Sequence, residues 1–164
     1  LNPALFSSTR QDWETPDEIL EVVRKVGPIV LDPCTTKTNP TQAEHFYTEE
    51  QDGLKTDWNW INGVCFVNPP YGTALQKWST KIANEGSTVC AQHTHLIALT
   101  PSRTDTIWWK RMAVTANAIA FLDKRLTFKG APNPAPFPSC LFYYGRSPIR
   151  FSRVLSGRAL VVEV

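Results

Sequence analysis

No apolar run in the sequence approaches the ~18 residues that a membrane-spanning helix needs, which argues against an integral membrane protein. The first ten residues have no basic start leading into an apolar stretch, so a secretory leader is not expected. An excess of charge is also missing: 17 Lys and Arg face 15 Asp and Glu, a net +2. That balance permits a nucleic-acid partner without announcing one. Cysteine is sparse, at positions 34, 65, 90 and 140, with no Cys-x-x-Cys spacing. Cys65, Cys90 and Cys140 sit in or beside apolar runs and read as buried free thiols of a reducing compartment. The stretch from Cys90 through His93 to His95 lacks the further ligands a metal ion needs, so no metal is expected. Internal repeats are absent.

What is present is an ordinary globular composition, 42% apolar and 20% charged over 164 residues. One domain spanning residues 1–164 is expected, with no separate large target-recognition domain. The run Thr15-Pro16-Asp17-Glu18 reads as a helix start: Thr15 as cap, Pro16 at the first helical position, Glu18 completing a capping box. Ile19, Leu20, Val22, Val23 and Val26 then form one apolar face, and Gly27-Pro28 ends the helix. A second helix is expected from a Thr73/Gln76 capping box through Leu75, Trp78 and Ile82 to a stop at Gly86. A third opens at Ser102–Asp105 and carries Ile107, Trp108 and Met112. Short strands are expected at 29–31, 45–48, 63–67, 95–99, 118–122, 140–144 and 159–162.

Seven or so strands with helices between the early ones argue an α/β fold. Its sheet is largely parallel and closes on antiparallel strands where helices run out. Ligands collect at the carboxyl ends of strands in such sheets, which points to the loops after Leu31, Val67 and Leu99. The segment 131–138, with four prolines in eight residues, reads as a surface loop or partner-facing arm. Trp58, Trp60, Trp78, Trp108 and Trp109 read mostly as core.

The most informative run is Val67-Asn68-Pro69-Pro70-Tyr71. Two prolines fix the backbone and remove two N–H donors at a strand end. An amide oxygen on Asn68, the carbonyl of Pro69 and the ring of Tyr71 are then offered together. Two acceptors beside a stacking face suit a planar group with an exocyclic amine, such as adenine. A plain rigid turn is the bland reading of the same residues.

Here the sequence resembles the amino-methyltransferases that carry an Asp/Asn/Ser-Pro-Pro-aromatic motif, and most closely the small phage-type Dam-like DNA N6-adenine methyltransferases. The resemblance also rests on Trp13-Glu14-Thr15-Pro16, Leu31-Asp32-Pro33-Cys34, Asp52-Gly53-Leu54 with Asp57-Trp58, Thr100–Thr106 and Arg125–Phe128, and so covers nearly the whole chain. It implies a compact class I, Rossmann-like fold, S-adenosylmethionine as cofactor, double-stranded DNA as partner and a bacterial cytoplasmic setting. Asn68, Pro69, Pro70 and Tyr71 would be catalytic. Asp32, Pro33 and Cys34 would form the cofactor loop, with Asp32 accepting from the methionine ammonium. Asp52, Gly53 and Leu54 match the segment that holds the cofactor's adenine amine, and Glu49 or Glu50 would suit the ribose hydroxyls. The helix start at Thr15-Pro16 would receive the methionine carboxylate. The chain departs from the usual methyltransferase pattern in having no Gly-x-Gly after Asp32.

The expected activity is methyl transfer to the N6 amine of a flipped adenine in DNA. An RNA or protein-glutamine amino-methyltransferase, or a catalytically silent nucleic-acid-binding module of the same fold, stands as the alternative. Arg103, Lys110, Arg111, Lys124, Arg125 and Lys129 are candidate phosphate contacts. Target reading falls to loops such as Phe128–Pro138 or to an oligomer such as a homodimer, the oligomeric state being left open.

Overall fold

A computed structural model describes residues 13–58, 62–89 and 94–164. Helix α1 (Asp17–Val26) leads into strand β1 (Ile29–Asp32), followed by β2 (His45–Phe46) and β3 (Val64–Val67). Then come α2 (Leu75–Val89), β4 (His95–Pro101), α3 (Ile107–Ala113), β5 (Ala118–Leu122), β6 (Ser139–Tyr144), α4 (Pro148–Val154) and β7 (Ala159–Glu163). The seven strands form one sheet in the order β2-β1-β3-β4-β6-β5-β7. The first four are mutually parallel, while β6 is antiparallel to both β4 and β5, and β7 antiparallel to β5. The expected α/β class is what the chain adopts, but the sheet is mixed, with three parallel pairings among β1–β4 and three antiparallel ones among β4–β7. A fourth helix, α4, was not foreseen, because Pro148–Val154 is a single short amphipathic stretch with Phe151 as its one buried residue.

Neighbouring residues of β6 show how the layers sit. The Tyr144 hydroxyl donates to the Met112 carbonyl of α3 at 3.0 Å, whereas the Tyr143 ring stacks on Phe151 of α4 at 4.7 Å. Adjacent strand residues point to opposite faces, so α3 and α4 cover opposite sides of the sheet. Helix α2 packs with α3, and α1 with α4. The central strands β1, β3 and β6 are buried along their whole length, as strands covered on both faces must be.

Four local expectations are corrected. Pro16, extended at φ −62° and ψ 146°, is the N-cap of α1 with no side-chain cap bond, so Thr15 neither caps nor forms a box with Glu18. Its hydroxyl is taken by Asn68 instead. Thr73 likewise stands ahead of the α2 cap, because the Ala74 carbonyl takes the first helical bond, from Trp78 N at 3.1 Å. Ile107 is 73% exposed on α3, whose buried face is Trp108, Trp109 and Met112. Finally, Gly86 does not end α2. The helix runs through it to Val89, and a Cβ there would overlap the Tyr144 ring.

That close approach explains why a helix breaker sits inside a helix. Replacing glycine by alanine within a helix ordinarily stabilises by about 0.5–1 kcal/mol. Gly86→Ala is expected to destabilise instead, by about 1–3 kcal/mol, because the methyl must displace a buried ring from β6. Denaturant unfolding of the variant checks this, and an increase in stability would contradict the packing.

Candidate active site

Strands β1 and β3 are neighbours, and the chain leaves β1 toward β2 on one side before returning to β3 on the other. The carboxyl ends of these strands, Asp32 and the Asn68 segment, therefore open at the point where the strand order reverses. The Asn68 amide is held in one orientation. Its Nδ2 donates to the Trp13 carbonyl at 2.5 Å and to Thr15 Oγ1 at 3.0 Å. A carbonyl can only accept, so the nitrogen is fixed on that side and Oδ1 faces the other way. That Oδ1 is buried and has no hydrogen-bond partner among the described residues. A buried unpaired acceptor costs about 1–3 kcal/mol, which makes it a candidate for an incoming donor.

Asp32 is the second unusual group. Only 3% exposed, it accepts from Thr41 Oγ1 at 2.8 Å and from the backbone N–H of Cys34 at 3.1 Å. Burial raises its pKa from 3.8 to about 6, against the lowering effect of those bonds. The loop needs no Gly-x-Gly for its turns. Asn39 and Gln42 take left-handed conformations at φ 44° and 52°, and Asn39 braces the loop through bonds to both backbone groups of Ala43. Gly53 lies so close to the Pro33 carbonyl that a Cβ there would collide with it. The Asp32-Pro33-Cys34 and Asp52-Gly53-Leu54 segments, 20 residues apart in sequence, are thus packed on each other. Asp52 itself turns outward. At φ 53° it accepts from Leu54 N at 3.2 Å and pairs with Lys55 at 3.0 Å, which lowers its pKa. Glu50 pairs with Lys37 on the surface at 2.8 Å, and Glu49 is exposed.

Tyr71 is 4% exposed. Its ring meets Phe128 at 6.2 Å and Phe137 at 5.6 Å, both edge-on, and Trp13 meets the same two rings at 5.0 and 5.8 Å. The ring therefore lies under the 126–138 segment and not at an open cleft as its place after two prolines suggested. The phenol oxygen has no partner among the described residues, and burial holds its pKa well above the usual range. The proline-rich segment is a surface loop, one of the two readings its sequence allows, and it is tied down at both ends. Ala135 N bonds the Leu126 carbonyl at 2.8 Å, Ser102 N bonds the Pro138 carbonyl at 2.9 Å, and Phe137 packs on the core. At its start Lys129 clasps the Trp13–Asp17 segment, with its N–H on the Glu14 carbonyl and its ammonium 2.7 Å from Asp17 and 3.4 Å from Glu14.

The family model for DNA N-6-adenine-methyltransferase (Dam) matches residues 3–136, which take in α1, all four parallel strands and the Asn68 segment. The chain belongs to the Dam family. DNA adenine methylation is accordingly its class of activity, with DNA as substrate. No curated protein matches the sequence. Strand β6, helix α4 and strand β7 lie beyond the matched residues.

In this Dam-family chain the basic candidates separate by position. Arg111 donates to Ser79 Oγ at 3.0 Å and ties α3 to α2, and Lys129 is engaged by two carboxylates. Arg103, Lys124 and Arg125 are exposed in the loops after β4 and β5, on the sheet edge that carries Asn68. Trp60, Cys90 and His93 lie outside the described residues, and no group of three metal-ligating side chains occurs among the described ones. Two participants were missed from the sequence, Thr41 on Asp32 and the Trp13 carbonyl on Asn68. Neither carries a signal there, because a threonine in a loop and a backbone oxygen look the same wherever they point.

The Asp32 shift has a thermodynamic consequence. An acid with a raised folded pKa holds its proton more tightly when folded. The stability it contributes is complete below its ordinary value of 3.8 and is lost as pH rises through about 6. Two pKa units correspond to about 3 kcal/mol. The ligand-free protein is expected to lose melting temperature across this window, and Asp32→Asn to lose much less. Equal slopes for the two proteins would show that Asp32 is not the titrating group.

Proposed function

We propose that the protein transfers the methyl group of S-adenosylmethionine to the N6 amine of an adenine flipped out of duplex DNA. The observation that carries this reading is Asn68 Oδ1, a buried acceptor with no partner among the described residues, whose amide is held by its Trp13 and Thr15 anchors. An exocyclic amine has two hydrogens. Asn68 Oδ1 accepts one and the Pro69 carbonyl the other, which orients the nitrogen lone pair. Pro70 keeps the turn rigid. Positioning of this kind supplies much of the rate of an in-line transfer, so no strong general base is needed. Because a base in a duplex is stacked, it must leave the helix to reach Asn68. Tyr71, packed edge-on against Phe128 and Phe137, then supplies the aromatic face for it.

The cofactor fits the residues at the β1 edge. S-adenosylmethionine supplies a methyl group on positively charged sulfur and carries an ammonium. A buried carboxylate whose charged form is penalised by burial gains from such a cation, which offsets that penalty. In this reading Asp32 binds the ammonium, with Pro33 and Cys34 shaping the loop. The Asp52-Gly53-Leu54 turn, pressed on Pro33, closes the adenine side. Asp52 would exchange its exposed Lys55 contact for the adenine amine. Thr15 and Pro16 keep the start of α1 beside Asn68, where the helix N-terminus favours the methionine carboxylate.

Asn68→Ala is expected to abolish methyl transfer to adenine-containing duplex DNA while calorimetric binding of S-adenosylmethionine persists. Near-normal turnover would refute the role. Asp32→Ala is expected to do the reverse, costing about 2–5 kcal/mol of cofactor binding. Unchanged binding in a folded variant would remove Asp32 from the cofactor site. For Tyr71, the phenol oxygen is dispensable in this reading and the ring is not. Tyr71→Phe is expected to keep activity and stability. Tyr71→Ala is expected to weaken DNA binding by about 1–3 kcal/mol and to melt earlier. A Phe variant as inactive as Ala would assign chemistry to the hydroxyl.

A further inference from the structure

The half-buried Trp13 indole is the anomaly among the described tryptophans. Trp58 Nε1 donates to the Gly53 carbonyl at 3.1 Å and Trp109 Nε1 to Cys140 Sγ at 3.4 Å, as buried indoles do. Trp13 Nε1 is buried and has no partner among the described residues. Its ring is held by Phe128 at 5.0 Å and Phe137 at 5.8 Å, the two rings that also hold Tyr71. Its own carbonyl anchors the Asn68 amide. One residue therefore fixes the unpaired acceptor through its backbone and adds an unpaired donor through its side chain. Leaving both unsatisfied costs the fold, and neither group is used by anything else among the described residues.

We propose that the Trp13 N–H donates to a ring nitrogen of the target base, so that Trp13 and Asn68 together select a base with an amine beside a ring acceptor. This rests on the proposed function. Adenine presents its N6 amine next to N1 on one edge and next to N7 on the other. Guanine and thymine present a carbonyl oxygen next to a protonated ring nitrogen on the pairing edge. There the oxygen would face Asn68 Oδ1 and the N–H would face the indole N–H, two repulsive contacts. Cytosine shares the amine-and-acceptor pattern on a smaller ring. Trp13 is thus a base-reading residue, and its packing on Phe128 and Phe137 sets the direction of its one donor.

The test uses a duplex oligonucleotide carrying a site mapped by sequencing methylated adenines, with the target base as adenine, 1-deazaadenine or 7-deazaadenine. Single-turnover methyl transfer is measured for the wild-type protein and Trp13→Phe, with calorimetric binding of S-adenosylmethionine and melting curves alongside. Trp13→Phe is expected to bind the cofactor normally and to transfer about tenfold or more slowly to adenine, the worth of a lost hydrogen bond. The wild type is expected to lose a similar factor on one deaza base, and the variant to lose nothing further on that base. A merely structural tryptophan would not produce this cancellation. Full activity of Trp13→Phe, or an undiminished deaza penalty in the variant, overturns the proposal. So does a wild-type protein indifferent to both analogues, a result that decides the matter even if the variant fails to fold. A wild-type protein that methylates no adenine duplex overturns the proposed function and this inference with it.

Discussion

The Asn68 amide, pinned between the Trp13 carbonyl and the Thr15 hydroxyl, is the constraint on which the rest of the site depends. It joins the segment before α1 to the end of β3 across 53 residues of chain and decides which atom of the amide is left over. Had the amide been free, the oxygen could satisfy itself locally and the strand end would be only a turn. Because both anchors accept, the nitrogen is committed and the acceptor is stranded inside the protein. The same bonds take Thr15 away from capping α1, so a local helix preference yields to a long-range contact.

Around that amide, two polar clusters are kept distinct by the sheet. The β1 end carries a carboxylate whose pKa is raised by burial, and the β3 end carries neutral donors and acceptors among aromatic rings. The first suits a positively charged ligand and the second a planar neutral one. Adjacent parallel strands bring the two side by side at one end of the sheet. The 126–138 segment ties both to the rest of the fold, because Lys129 clasps the α1 approach while Phe128 and Phe137 cover Tyr71. Surface ion pairs of that kind add little stability, so the aromatic contacts do most of the holding.

Much of this could be read in the amino-acid order alone. A 3.6-residue apolar period marks α1, and short apolar runs bounded by turn residues mark the strands and their alternation with helices, because these depend only on neighbours along the chain. The prolines after Asn68 mark a rigid strand end for the same reason, and the motifs at Asp32, Asp52 and Asn68 resemble the family to which the chain belongs. Tertiary contact decided the rest. Gly86 continues a helix because Tyr144 from another strand fills the space its side chain would occupy. Tyr71 is buried because a segment more than 50 residues later folds over it. Gly53 presses on Pro33, Thr41 reaches Asp32, and Trp13 lends a carbonyl to Asn68 while its own N–H stays unpaired. Sequence thus specified which groups could do chemistry, since residue type and local backbone are written there. Which of their atoms are satisfied and which are left unpaired depends on partners distant in the chain, and only the fold brings those into contact.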